Sequence, residues 1–331
     1  MKLQVPFLQL PLTFDAGALA VEIERIGEAA WRPHPQGFPG NSALPLVAAN
    51  GDPDDDAVRG VMRPTPHLAQ LPYLQQVLES FGAVLGRTRL MRLSGQAEVS
   101  AHVDVDYYWR EHVRIHVPIV TQPDVLFHCG DRAIHMAAGE CWIFDTWRMH
   151  RVINSAHQAR IHLVADSVGG SGFWKLIAAS RVPEMATSGW QPRRVTPTSV
   201  PLSPLPFESV NLPTVMSPWE VREHLNFVLD EALPHPQLDA VIQLVSHFCR
   251  HWRALWARYG EMRDGWPEYR EAAAQFTEEL ERIGAGIRLP NTVSLSKAML
   301  QLVSGVAVID ESRRDTADER SAPMESSKPS M

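Results

Sequence analysis

Cysteine is scarce in this chain of 331 residues, with three in all, at Cys129, Cys141 and Cys249. Widely spaced and odd in number, they suit no disulfide framework and read as reduced, buried thiols of a cytoplasmic protein. A basic surplus is also missing. Lys and Arg number 31 against 38 Asp and Glu, a net charge of −7. Phosphate neutralisation needs clustered cations, so a general nucleic-acid binder is excluded. No apolar run reaches the length of a membrane span. The first residues, MKLQVPFLQLPLTFD, carry two prolines and no small-residue cleavage site. They read as a first strand rather than a signal peptide, and no membrane anchor is expected. There is no internal repeat.

What is present fits a soluble globular protein with a sizeable core: 45% apolar and 21% charged residues. Helical spacing covers 15–31 and 66–81, with a strand and a solvated DPDDD loop between them. From 86 to about 168 the pattern turns to short β segments separated by turns. Strands so closely spaced, without long crossover helices, predict a β-sandwich or barrel and exclude a doubly wound sheet. Residues 1–180 are therefore expected to form one β domain with N-terminal helices. Pro, Ser and Thr dominate 181–216, the composition of an extended connector. At Ser217, SPWE supplies a capping box with Pro at the first helical position. A helical domain is expected over 217–308, then a polar, disordered tail over 309–331.

The most unusual stretch is AHVDVDYYWREHVRIHVPI, 101–119, strand sequence crowded with ionisable groups. It reads as two adjacent strands and a connecting loop. Alternate side chains of a strand share a face, so His102 and Asp104 point the same way. One imidazole and one carboxylate at that spacing can grip one metal ion. His150, after the strand ECWIFDT, is the best third ligand, and two His with one carboxylate is the arrangement of non-haem Fe(II) oxygenases. Ten residues later Arg160 and His162 share a face of RIHLVAD. A buried Arg needs a carboxylate, which it binds through two parallel hydrogen bonds. RIHVPI repeats the pattern with Arg114 and His116, and Arg89 is a third basic group just upstream.

The stretches RLMRLS, AHVD, RIHVPI, IHMAAGECWIFD, His150 and RIHLVAD, in that order, resemble the iron- and 2-oxoglutarate-dependent aspartyl/asparaginyl β-hydroxylases. Within that family the likeness is to the bacterial proline cis-4-hydroxylase branch. It covers 66–168 well and 1–65 weakly. The resemblance implies a double-stranded β-helix (jelly roll, cupin-like) with N-terminal helices and a C-terminal α-helical domain. It implies Fe(II) held by His102, Asp104 and His150, with 2-oxoglutarate and O2 as cosubstrates. Arg160 would hold the distal carboxylate of 2-oxoglutarate. Arg114 and His116, in the family's RxH motif, would serve the cosubstrate or a substrate carboxylate, and Arg89 the carboxylate of an amino acid. The animal aspartyl hydroxylases lack the carboxylate ligand; Asp104 therefore favours the amino-acid branch and argues against halogenation.

Other residues have two readings. Asp106, Tyr107, Tyr108 and Trp109 could line the substrate mouth or form a solvated loop; Tyr108 and Trp109 are the substrate-binding candidates. His135 is expected to pack or hydrogen-bond before a turn, and Asp145 to orient its neighbours rather than ligate. Asn41 and Ser42 suit a pocket or a turn equally. His247 and His251, at i, i+4, could bind metal, but a core face is preferred.

The expected function is hydroxylation of an amino acid, free or in a peptide, releasing succinate and CO2. The alternatives are a non-catalytic jelly-roll metal or ligand binder, and the same cofactors with another oxidative outcome. The helical domain could cover the pocket, recognise a larger substrate or form a homodimer.

Overall fold

The computed structural model describes residues 1–309 except 35–38, 184, 186–187 and 202. The expected tail lies outside the described residues from 310 onward. The chain divides into two compact units, Met1–Leu212 and a second beginning at Pro213.

The first unit contains thirteen strands: β1 (Phe7–Phe14), β2 (Arg32–Pro33), β3 (Asn41–Ala49), β4 (Met62–Pro64), β5 (Val84–Leu93), β6 (Ala97–His102), β7 (Val113–Val120), β8 (Val125–Cys129), β9 (Arg132–Ile134), β10 (Glu140–Phe144), β11 (His150–Asn154), β12 (Arg160–Gly169) and β13 (Arg193–Val195). They make two sheets. The larger runs β13-β1-β10-β7-β12-β5-β3-β2, with β4 on β3, and the smaller runs β6-β11-β8-β9. From β5 onward the chain passes repeatedly between the sheets, giving the double-stranded β-helix, or jelly roll, that the resemblance implies.

Strand alternation gives the large sheet two different faces. One carries Leu10, Leu44, Leu90, Ile115, Val117, Leu163 and Ala165, all fully buried in one apolar cluster. Against it pack α1 (Ala16–Glu24) and α2 (Pro72–Ser80), contributing Leu19, Ile23, Leu74 and Val77. The opposite face meets the small sheet, where Phe7, Leu93, Trp142 and Phe144 pack with Phe127, Cys129 and Val152. That second face also carries the ionisable groups.

Both N-terminal helices are shorter than their spacing predicts. α1 starts where Asp15 accepts a hydrogen bond from Ala18 N (3.0 Å), and the chain turns at Gly27, φ +82°. α2 starts only at Pro72, because a residue before proline avoids the helical region, and Leu71 lies outside it at φ −122°, ψ 68°. The buried Glu22 carboxylate accepts from Tyr73 N (2.7 Å) and Leu74 N (3.1 Å), satisfying the donors that Leu71 cannot cap.

The stretch 101–119 is not two adjacent strands. β6 belongs to the small sheet and β7 to the large one, and α3 (Tyr107–Glu111) joins them. Asp106 starts α3 by accepting from Trp109 N (3.0 Å), so what read as a loop is a capped helical turn. After α4 (Ser171–Ala178) the Pro-rich stretch runs with the first unit as far as Leu212. There β13 pairs in parallel with β1, and Thr198 N donates to Gln76 Oε1 (3.0 Å).

The second unit comprises α5 (Pro218–Asp230), α6 (Leu238–Tyr259), α7 (Trp266–Gly284) and α8 (Leu295–Met299), which continues into a π-turn at Leu300–Ser304. Ser217 caps α5 by accepting from Glu220 N. Phe248 stacks on Phe276 with centroids 4.3 Å apart. His247 and His251, expected on the core face, are exposed instead. The α6 core stripe is Val241, Val245, Phe248, Trp252 and Leu255, which leaves both histidines on the solvent side. Among the described residues, no helix is long and apolar enough to cross a membrane.

One turn is set by backbone crowding. Gly139, before β10, has φ +81°, and a Cβ there would meet Phe14 O at 2.3 Å. Gly139→Ala is expected to cost at least about 1–3 kcal/mol from left-handed strain alone, measured by chemical denaturation.

Candidate metal centre

Three side chains from different elements converge where the two sheets open. His102 ends β6, His150 begins β11, and the two lie directly opposite across an antiparallel pair. Asp104 follows β6, its backbone N–H donating to Thr146 O (3.1 Å) in the turn between β10 and β11. One potential ligand atom from each lies within 4.8 Å of the others, the one such group among the described residues. His102 Nε2 is 3.7 Å from Asp104 Oδ1, and His150 Nε2 is 3.9 Å from Asp104 Oδ2.

Backbone oxygens set the direction of both rings. His102 Nδ1 is 2.8 Å from Ser100 O and His150 Nδ1 is 2.9 Å from Arg148 O. A carbonyl accepts, so each Nδ1 carries hydrogen and each Nε2 offers a lone pair inward. Burial, partly offset by Asp104, lowers the pKa of His150 to about 4. His150 Nε2 is buried without a hydrogen-bond partner among the described residues. Burial opposes ionisation of Asp104, but Arg114, His150 and His102 outweigh it and hold its pKa below the ordinary value. Two imidazoles that turn Nε2 inward and one carboxylate, with an orphaned inward nitrogen, fit a divalent first-row cation.

Beyond this triad the inner face of the large sheet continues through aromatic rings. Phe144 lies 5.1 Å from His150 and 5.2 Å from His116, centroid to centroid. Phe127 stacks on His162 at 5.2 Å, and the Arg160 guanidinium lies 5.2 Å from the same Phe127 ring. Arg160 is 4% exposed, and its Nε and Nη1 have no hydrogen-bond partner among the described residues. Burial alone lowers its pKa to about 9. An unpaired buried guanidinium is costly, so Arg160 is suited to pair with an anion. Both ring nitrogens of His116 and of His162 are likewise unpartnered. Burial, reinforced by neighbouring guanidinium groups, drives both pKa values well below the ordinary histidine value.

Arg114 points elsewhere than His116, though both lie on one strand face. Its Nη1 is 3.2 Å from Asp104 Oδ2, and its Nε donates to Asp166 Oδ1 at 3.1 Å. Burial works against its charge, yet Asp104 and Asp166 raise its pKa above the usual value. Arg89 is buried, and burial with repulsion from Arg87 lowers its pKa to about 9.

The two aromatic candidates separate. Trp109 is partly exposed, with the guanidinium of Arg114 4.0 Å and that of Arg87 5.5 Å from its ring centroid. Tyr108 is fully buried, stacked on His112 at 3.7 Å, its hydroxyl accepting from Arg87 N at 3.2 Å. It lines no mouth, because the α3 turn directs successive side chains to different sides. His135 bonds Val125 O (3.1 Å), and Ser42 accepts from Arg92 Nε (3.0 Å).

Sequence reasoning omitted Arg87, His162 and Asp166 from the site. The signal was strand parity: Arg87 lies two residues before Arg89, and Asp166 four after His162, each on the same face. Phe127 and Phe144 gave no signal, because aromatic residues in strands read as core.

Residues 48–168 match the family model described as Aspartyl/Asparaginyl beta-hydroxylase. Two curated Streptomyces proteins, L-proline cis-3-hydroxylases 1 and 2, are 30% and 29% identical to the chain. Each match covers 37% of this chain and 45% of the relative, so the chain spans less than half the length of either. Their names specify cis-3 where the sequence resemblance suggested a cis-4 branch. Among solved structures, a 2OG-Fe(II) oxygenase family oxidoreductase from Burkholderia pseudomallei aligns at 16% identity and a TM-score of 0.38. That alignment covers 51% of this chain and 88% of the other.

Asp145 organises the turn behind the triad. It accepts from Trp147 N (3.0 Å) and Arg148 Nε (2.9 Å), fixing the segment whose Thr146 and Arg148 carbonyls hold Asp104 and His150. Asp145→Ala is expected to weaken Co(II) binding about 10–100-fold, as loss of an outer partner does, read by isothermal titration.

Proposed function

We propose that this protein is an Fe(II)- and 2-oxoglutarate-dependent hydroxylase of an amino acid. The observation that carries the reading is the His102–Asp104–His150 cluster together with a buried Arg160 whose Nε and Nη1 have no hydrogen-bond partner among the described residues. In it His102, Asp104 and His150 hold the metal. Arg160 takes the distal carboxylate of 2-oxoglutarate through parallel hydrogen bonds, and His116 and His162 line that end. Iron, with O2 and 2-oxoglutarate, supplies the oxidation, which releases succinate and CO2. The protein binds, orients and keeps water out, and the aromatic wall of Phe127 and Phe144 serves the last of these.

On the substrate side Arg89 has no hydrogen-bond or ion-pair partner among the described residues. That favours a substrate with a free carboxylate over one inside a peptide. Arg114, ion-paired with Asp104 and hydrogen-bonded to Asp166, fixes the carboxylate ligand, and Trp109 forms the adjoining rim. The names of the curated relatives make L-proline the first substrate to try. The reading places the protein in the cytoplasm, which three buried free cysteines support. It includes a homodimer through the helical unit, where Trp219 on α5 is 72% exposed.

The test is succinate release in air over free amino acids and short peptides, beginning with L-proline. Release that depends on one free amino acid and is lost in His102→Ala is expected. No release above background with any substrate counts against the enzyme. Arg160→Leu is expected to raise KM for 2-oxoglutarate at least about 30-fold, the equivalent of roughly 2 kcal/mol or more for half of a buried charge pair. An unchanged KM would remove Arg160 from the cosubstrate site.

A further inference from the structure

A strap from beyond the matched family domain reaches the back of the arginine cluster. Between α4 and the end of the first unit, residues 205–211 lie along the start of β5. Leu85 N donates to Pro206 O (2.9 Å), Glu208 N to Leu85 O (3.0 Å) and Met62 N to Glu208 O (2.8 Å). Asn211 fastens the far end, accepting from Gly60 N (2.9 Å) and donating to Val58 O (3.0 Å). Glu208 is 3% exposed although its neighbours Ser209 and Val210 are exposed. A lone buried carboxylate in a surface strap needs a partner.

Asn211 Nδ2 donates to Glu208 Oε2 at 3.4 Å, and the closer partner is His112. Its Nε2 is 2.5 Å from Glu208 Oε1, and its Nδ1 is 2.6 Å from Tyr108 O. Both ring nitrogens therefore face oxygen atoms, and His112 joins the strap to the α3 turn. Tyr108 stacks on the His112 ring. At Gly86 an added Cβ would meet Tyr108 Oη at 2.7 Å and Glu208 Oε2 at 2.9 Å, so both groups press on the β5 backbone there. The next residue is Arg87, whose N–H donates to the same Tyr108 hydroxyl. Immediately after Tyr108 comes Trp109, whose ring carries the guanidinium groups of Arg114 and Arg87. Arg114 in turn holds Asp104.

We propose that Glu208 is a positioning residue for the metal and substrate wall, acting through His112 to set the α3 turn and so the Trp109–Arg114–Asp104 chain. The geometry leaves a continuous route, with Glu208 against His112, the His112 ring against Tyr108, Trp109 against Arg114, and Arg114 on Asp104. The inference rests on the reading of Asp104 as a metal ligand. It extends the site to a segment of this chain that the family model does not include.

The test uses the full-length protein, metal-free and then loaded with Co(II). Glu208→Gln keeps the size of the side chain and removes its charge, and His112→Gln serves as a second variant. In the metal-free 15N-labelled protein, both variants are expected to shift the Arg114 Nε–H and Trp109 indole resonances. The Trp252 indole, in the other unit, stays in place as control. In the Co(II) protein, the d–d bands are expected to shift with Glu208→Gln. Arg114 and Trp109 resonances that stay put, whatever the loss of melting temperature, overturn the proposal and leave Glu208 as a fastening for the strap alone. Failure of the wild-type protein to bind Co(II) instead defeats the metal reading. The metal-free resonances still decide whether Glu208 acts on Arg114.

Discussion

Arg114 is the group on which the arrangement turns. It lies on β7 in the large sheet and holds Asp104, which follows a strand of the small sheet, together with Asp166 on β12. A buried guanidinium is tolerable only with such partners, and a buried carboxylate only with a cation nearby. Each of the three groups therefore makes the others affordable. The result orients the single carboxylate of the triad without using the lone pairs of the two histidines.

The constraint has a counterpart deeper in the fold. Arg160 and Arg89 are buried too, but neither has a hydrogen-bonded carboxylate among the described residues, and for Arg89 the attraction of Asp166 is outweighed by burial and by repulsion from Arg87. In a core held together by apolar contacts on the other face of the same sheet, such groups are a standing cost that a ligand's carboxylate would offset under the proposed function. One sheet thus serves stability on one side, through Leu44, Leu90, Ile115 and Leu163, and binding on the other.

Much of this was legible in the sequence because strand alternation is local. His102 and Asp104, Arg114 and His116, and Arg160 and His162 could be paired by counting residues, and the run of short strands implied a sandwich or barrel. Counting could not show which sheet each strand joins, so β6 and β7 read as neighbours when α3 carries the chain between sheets. The face of a short helical turn was also out of reach, and with it the fate of Tyr108, buried against His112. Side chains on one face can still diverge. Arg114 turns to Asp166 while His116 enters the aromatic chamber, a choice made by a partner 52 residues away. Glu208 lay in a Pro-rich stretch whose composition signals a connector, and nothing local marks it as the partner of a buried histidine.

Under the proposed function, the triad and Arg160 form one site for a metal ion and a dicarboxylate keto acid. Anaerobic addition of Fe(II) and then 2-oxoglutarate to the purified protein tests it most directly, because neither oxygen nor the unidentified substrate is needed. A visible metal-to-ligand charge-transfer band is expected that saturates at one equivalent of iron and is absent from Asp104→Ala. Binding of Fe(II) without that band at any concentration of 2-oxoglutarate would contradict it.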